Sequence, residues 1–287
     1  MIRRDLLKAA AAGVTSLLAH PVLVLADSND VTARLADLER KCGGRLGVAA
    51  LDIDGGHRVS HRGDERFLMC STFKFLLVAA VLTRVDQGKE NFDRRIVFKR
   101  NVVLNYAPMT EHHVGPPGMT IAQLCEAAIT LSDNTAANLL LASIGGPSSV
   151  TQYARSLGDP FTLLDRFEPA LNPYDGTTPN ATLADMQKIL LGPTLSQFSR
   201  ERLIKWMLDC QTGLRSLRSG FPVGWRVGDK TGQWDGNDVG ANNDIAVAWP
   251  PERKPLLVTA YCDNARASAT ARKAVLAEVA RVVSALV

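Results

Sequence analysis

The chain has 287 residues, 46% of them hydrophobic, which is enough apolar material for one large core or two modest ones. Its 22 glycines and 14 prolines exclude collagen-like and low-complexity chains. A formal net charge of +4, with no basic block and no interleaving of aromatic and basic residues, argues against nucleic acid as a partner.

Residues 1–26 read as an export signal. Arg3-Arg4 precedes Asp5-Leu6-Leu7-Lys8, and an Ala-rich apolar run over 9–25 ends at the small residue Ala26, so cleavage is expected before Asp27. The Arg pair resembles a bacterial twin-arginine signal, which implies a periplasmic location. A permanent membrane anchor is the competing reading. His20 and Pro21 interrupt the run, however, and leave it short of the ~20 apolar residues of a span. Loss of Arg3, Arg4, Lys8 and Asp5 with the signal lowers the net charge from +4 to +2, and no stable membrane association is expected after cleavage.

Export implies an oxidising compartment, where cysteines can pair. Cys42, Cys70, Cys125, Cys210 and Cys262 include no CxxC pair and no zinc-ligand spacing, so most are expected to be small buried side chains. The adjacent His112 and His113 suit a solvated loop better than a metal site. Neither a metal nor a cofactor is expected.

A first helix carries Val31, Leu35, Leu38 and Cys42 at helical spacing and stops at Gly43-Gly44. Residues 46–53 read as a buried strand, Asp54-Gly55-Gly56 as a turn and 58–61 as the returning strand. From Thr72 the texture is helical: Phe75, Leu76, Val78 and Ala79 belong to one apolar helix. Thr120 and Gln123 have capping-box spacing ahead of 124–128. Further helices are expected over 134–144, 149–157, 183–191 and 200–210. Strands follow over 225–230, 244–249 and 256–262, with 250–255 a turn, and a helix over 267–287 ends the chain. Strands at both ends and helices between them predict an α+β fold. Residues 27–62 and 213–287 would form one antiparallel sheet domain, and 63–212 an inserted all-α domain.

Three short motifs carry the chemistry. Ser71 and Lys74 are three apart at a helix start, where they share a face and the positive end of the dipole favours an oxyanion. A serine hydroxyl needs a neighbouring base to take its proton. Ser132-Asp133-Asn134 opens another expected helix, where each residue type is also an ordinary N-cap. Lys230-Thr231-Gly232 ends an expected strand; Lys and Thr can bind a carboxylate, and Gly lets a ligand approach the strand edge. Each motif alone has a bland structural explanation.

In this order the three motifs resemble those of the penicillin-recognising serine enzymes, class A β-lactamases in particular. The resemblance covers nearly the whole mature chain. It includes residues 130–140 around Ser132, the run Arg166-Phe167-Glu168-Pro169-Ala170-Leu171-Asn172, which is similar to the family's Ω-loop, and 244–250. It implies a three-layer α/β/α sandwich with an antiparallel sheet and an inserted all-α domain. It also implies hydrolysis of the β-lactam amide of penicillins and cephalosporins, hence β-lactam resistance. Ser71 would be the nucleophile with Lys74 beside it, and either Lys74 or Glu168, through water, would be the acylation base. Ser132 would protonate the departing nitrogen. The backbone N–H groups of Ser71 and Gln233 would form the oxyanion hole, and Glu168 with Asn172 would hold the deacylating water. Lys230, Thr231, Gly232 and Ser132 would face the substrate carboxylate, and Asn134 the acylamino side chain. Asn138 would support the Glu168 loop, and Tyr106 would wall the entrance.

Several positions depart from the family pattern. Only Pro173 and Tyr174 separate Asn172 from Asp175, so the Ω-loop is short, and an Arg166–Asp175 ion pair would be its closure. Cys70 and Cys125 hold positions that some relatives bridge, but the partner positions are occupied by residues 233–235 and by Val78; no structural disulfide is expected. Arg272, or alternatively Arg215, would supply a second cation for the substrate carboxylate. The leading expectation is a monomeric periplasmic β-lactamase acting on a small-molecule lactam. A D-alanyl-D-alanine carboxypeptidase or penicillin-binding protein is the alternative, disfavoured by Glu168 and Asn172. A non-catalytic sensor is disfavoured by the intact motifs.

Overall fold

A computed structural model describes residues 28–170 and 175–287. The export signal expected over 1–26 and the site residue Asn172 lie outside the described residues. Helix α1 (Ser28–Cys42) buries Val31, Leu35, Leu38 and Cys42 along one side and leads into β1 (Arg45–Asp52) and β2 (Arg58–His61). The Asp52 carboxylate accepts the N–H groups of Asp54 and Gly55 at 3.0 and 2.9 Å and so closes the turn between the strands.

The short strand β3 (Phe67–Leu68) runs into a single 3₁₀ turn, Cys70–Thr72, and then α2 (Phe73–Asp86), whose first ten residues are all buried. A helix that is apolar all round belongs at a domain centre. Around it lie β4 (Arg95–Ile96), β5 (Met119–Thr120), α3 (Ile121–Thr130), α4 (Asn134–Ile144) and α5 (Ser148–Ser156). They are followed by β6 (Gly176–Thr177), α6 (Pro179–Leu190) and α7 (Gln197–Leu208). The capping box is present: Thr120 Oγ1 accepts from Gln123 N at 3.1 Å, and Gln123 Oε1 from Thr120 N at 2.9 Å.

The short helix α8 (Leu217–Gly220) precedes β7 (Arg226–Asp235), β8 (Gly240–Trp249), β9 (Leu256–Ala265) and α9 (Ala269–Ser284). The five-stranded antiparallel sheet has the order β2-β1-β9-β8-β7, so the two ends of the chain meet where β1 pairs with β9. Strand alternation sorts the two cores. Leu46, Val48, Ala50, Val258 and Ala260 pack under α1, α8 and α9, while Ala49, Leu51, Ile245, Val247, Leu257 and Tyr261 join the helices α2–α7. This is the α+β architecture expected from the sequence.

Several boundaries differ from expectation, most clearly in the β7–β8 hairpin and at the start of α6. β7 and β8 continue through Gln233, Asp235, Asn242 and Asn243, polar residues that read as loop. Asn243 explains part of this, since its Nδ2 donates to Leu68 O and Met69 O at 2.6 and 3.0 Å and ties the hairpin to the chain before Ser71. Helix α6 starts at Pro179, four residues before the expected 183, because Thr178 caps it and proline suits the first helical position.

Candidate active site

Ser71 sits in the 3₁₀ turn that enters α2, with Cys70 before it held at φ +45°. Strand β7 lies directly against this turn. A Cβ at Gly232 would come within 2.8 Å of Met69 O and 2.9 Å of Cys70 Cβ, so only glycine lets the strand backbone approach Ser71. β7 is also an edge strand of the sheet, and its residues Thr231, Gly232 and Gln233 line an open cleft.

One turn into α2, Lys74 is fully buried. Its Nζ donates to Ser132 O at 2.8 Å and to Asn134 Oδ1 at 2.5 Å, and stands 3.5 Å from Ser132 Oγ and 3.7 Å from Glu168 Oε1. Burial, helped by the charge of Lys230, pushes its pKa down to about 7 against the pull of Glu168 and Asp133. Ser71 Oγ donates to Glu168 Oε1 at 3.3 Å. Lys230 Nζ donates to Ser132 Oγ at 3.0 Å and to Thr231 O at 2.6 Å, and burial lowers its pKa too. Ser132 is therefore the meeting point of two buried ammonium groups.

Ser132 adopts φ +59°, a left-handed conformation held by its neighbours. Asp133, the N-cap of α4, accepts from Ala136 N at 2.8 Å, and also from Met109 N and Thr110 N at 3.0 and 2.9 Å and from the Thr110 hydroxyl. The same carboxylate thus starts the helix that presents Asn134 and Asn138 and pins the segment after Tyr106. Tyr106 O accepts from Asn134 N at 3.0 Å, and the tyrosine stands 51% exposed at the mouth of the cleft.

The loop bearing Glu168 is gripped by Asn138, which donates to Glu168 O at 2.9 Å and accepts from Glu168 N at 3.0 Å. Arg166 Nε lies 3.7 Å from Asp165, and Asp175 accepts the Asp165 N–H at 2.8 Å. The loop is thus closed here without the Arg166–Asp175 ion pair considered from the sequence. Burial, with Asp165 nearby, pushes the Asp175 carboxyl up to about 6.

A cleft of about 710 Å³ opens over these groups, lined by Ser71, Tyr106, Ser132, Asn134, Thr231, Gly232, Gln233, Trp234 and Lys273 among others. Thr231 Oγ1 is 2.5 Å from Thr212 Oγ1. Arg272 needs correction: it is 3% exposed, donates from Nε to Asn242 Oδ1 at 2.7 Å and pairs with Asp235, so its charge is answered inside the protein. Lys273 lines the cleft instead, a residue missed because nothing in the sequence says which of two adjacent helical cations faces inward. Arg215 is exposed and is not among the cleft-lining residues.

All five cysteines are buried free thiols. Among the described residues no cluster of three His, Cys, Asp or Glu side chains is arranged to hold a metal, and no helix is long and apolar enough to cross a membrane.

A serine at a helix start, two buried lysines sharing a second serine and a carboxylate facing the first make a set fitted to acyl transfer. Comparison with known proteins agrees. The profile of the β-lactamase enzyme family matches residues 30–287. The chain is 42% identical to β-lactamase CTX-M-8 of Citrobacter amalonaticus over 94% of this chain and 93% of that protein. It is 41% identical to β-lactamase L2 of Stenotrophomonas maltophilia over 100% and 99%. The solved structure of an ancestral (GNCA) class A β-lactamase superposes with a TM-score of 0.84 at 54% identity, covering 88% of this chain and 98% of that one. The chain belongs to the β-lactamase enzyme family, as a serine β-lactamase of class A.

Proposed function

We propose that the protein works in the periplasm as a monomer and opens the β-lactam amide through an acyl-enzyme on Ser71. Ser71 Oγ attacks the lactam carbonyl carbon and passes its proton to Glu168, the carboxylate it faces at 3.3 Å. The backbone N–H groups of Ser71 and Gln233 receive the oxyanion. As the tetrahedral adduct collapses, the C–N bond breaks and Ser132 Oγ gives its proton to the departing nitrogen. The proton on Glu168 then refills Ser132 by way of Lys74 Nζ, which stands 3.7 Å from the one and 3.5 Å from the other. A Lys74 pKa of about 7 suits this relay, since the amine can take and release a proton near neutral pH.

Lys230, Thr231 and Lys273 meet the substrate carboxylate; Gly232 gives the lactam room against β7, Asn134 binds the acylamino group and Tyr106 walls the entrance. For deacylation Glu168, with Asn172, holds a water and removes its proton as it attacks the acyl carbon; Ser71 Oγ leaves and regains a proton. The observation that carries this reading is the unbroken chain Ser71–Glu168–Lys74–Ser132–Lys230.

The test is Glu168→Ala. The wild-type protein is expected to turn over a chromogenic cephalosporin with no trapped adduct. The variant is expected to lose ~10²–10⁴-fold of its turnover and to accumulate a Ser71 adduct visible by mass spectrometry. Undiminished steady-state turnover by Glu168→Ala would remove Glu168 from the mechanism.

A further inference from the structure

Behind the Glu168 loop two buried carboxyl groups meet without a cation between them. Asp185 lies on the inner face of α6 and is fully buried, and Asp159, just after α5, is 4% exposed. Neither Asp185 oxygen meets a donor from another residue, and the Asp159 carboxylate lies within hydrogen-bonding reach of it. Asp159 has partners of its own, accepting from Phe161 N at 2.6 Å and from Thr162 N at 3.1 Å.

The other ionisable groups facing Asp185 are engaged elsewhere. Arg155 of α5 donates from Nη1 to Asp159 O at 2.6 Å, and Lys188 of α6 donates to Leu157 O. Tyr153 of α5 is bonded to Thr83 at 3.0 Å, and Tyr261 of β9 donates to Thr182 Oγ1 at 3.0 Å. Two ionised carboxylates in contact, buried and with no donor between them, would repel strongly. A neutral Asp185 removes the conflict, because its O–H then donates to Asp159.

The pair also stands at the neck of the loop. Leu163 and Gly176 bridge across the loop's base, with N–H to O distances of 2.9 and 3.1 Å. Beside them Thr162 Oγ1 is 2.7 Å from Thr177 Oγ1, which is 3.0 Å from Thr182 Oγ1 on α6. The strand of chain entering the loop is thus held by Asp159, and the strand leaving it runs into the helix that carries Asp185.

We propose that Asp185 is a positioning residue for deacylation: as a neutral carboxyl it donates its proton to Asp159 and closes the neck of the loop that holds Glu168 over Ser71. The inference rests on the deacylating role given to Glu168 above. Burial, and Asp159 beside it, raise the Asp185 pKa from 3.8 to about 8. The folded protein therefore keeps a proton that the unfolded chain releases. The stabilisation is complete below about 3.8 and is lost as pH rises through about 8. The loop loosens with it, on the alkaline side.

The test uses Asp185→Asn, whose amide donates to Asp159 at every pH, and Asp185→Ala, which donates at none. The infrared difference spectrum between wild type and Asp185→Asn at neutral pH is expected to contain the band of one protonated carboxyl, which disappears from the wild type above about pH 8. Wild-type deacylation is expected to fall several-fold between neutral pH and about pH 9, and Asp185→Asn to abolish that fall. Asp185→Ala is expected to deacylate roughly ten-fold more slowly at neutral pH, with acylation slowed as well because Glu168 also takes the Ser71 proton. Absence of the carboxyl band, or an alkaline fall in deacylation that is the same in Asp185→Asn, would overturn the proposal. Asp159→Asn serves if Asp185→Asn does not fold: it removes the carboxylate that accepts the Asp185 proton, so the band is expected to shift, and a band unmoved from its wild-type position would overturn the proposal. The infrared result does not need lactam turnover, so wild-type activity measured alongside separates a failed dyad from a failed mechanism.

Discussion

Arg272 is held by Asn242 and Asp235, whereas Lys273, one residue later on α9, faces the open cleft. The two cations should therefore fail differently when removed. Lys273→Ala is expected to raise KM for carboxylate-bearing lactams ~2–5-fold with kcat nearly unchanged, since a half-exposed cation contributes about 0.5–1 kcal/mol of binding common to ground and transition states. Arg272→Ala is expected to lower the denaturation midpoint instead, because a buried Asn242 and the Asp235 carboxylate lose their donor. Steady-state kinetics and urea unfolding on both variants separate the two outcomes, and a KM effect confined to Arg272→Ala would reverse the assignment. At this scale the sequence revealed the motif residues but not the orientation of residues beside them. A helix turns about 100° per residue, and which of two neighbours faces the cleft depends on an acid, Asp235, thirty-seven positions away.

Among the elements, α4 shows how much one cap can carry. Asp133 satisfies the first turn of the helix and three donors from residues 109–110, so it fixes both Ser132 and the segment leading from Tyr106. Asp133→Ala is expected to cost about 2–4 kcal/mol, the loss of an N-cap plus buried donors left unpaired, read from the shift in urea midpoint at constant m-value. A loss below about 1 kcal/mol would mean that the carboxylate acts only as an ordinary cap. Helix signals of this kind were legible because they are local: the Thr120–Gln123 box and the 134–144 helix follow from residues three or four apart. The length of the β7–β8 hairpin was not. Gln233, Asp235, Asn242 and Asn243 are strand residues because of what they bond to, and Asn243 reaches carbonyls 174 and 175 positions earlier.

For the whole molecule, the helices α2–α7 and the sheet share one apolar cluster, and the site lies at that seam, where burial lowers the pKa of both Lys74 and Lys230. Lys74 gives the clearest consequence. Its pKa falls from 10.5 to about 7 on folding, chiefly by burial, so between those values the unfolded chain binds a proton that the folded protein has released. Stability contributed through this group therefore rises with pH from about 7 to 10.5, and below 7 the folded state carries the full cost of a buried ammonium. Lys74→Met removes that cost along with the bonds to Ser132 and Asn134, whose loss does not follow the same titration. The difference in unfolding free energy, variant minus wild type, is thus expected to be most positive near pH 6 and to shrink steadily toward pH 10. Urea unfolding at several pH values measures it, and a difference that stays constant across that range would show that Lys74 keeps an ordinary pKa and cannot relay protons at neutral pH. Asp185 has the opposite sign, between about 3.8 and 8, so the two groups offset each other from about pH 7 to 8. Below about pH 7 the wild-type slope is that of Asp185 and above about 8 that of Lys74, and in the double variant Lys74→Met/Asp185→Asn both are expected to vanish together.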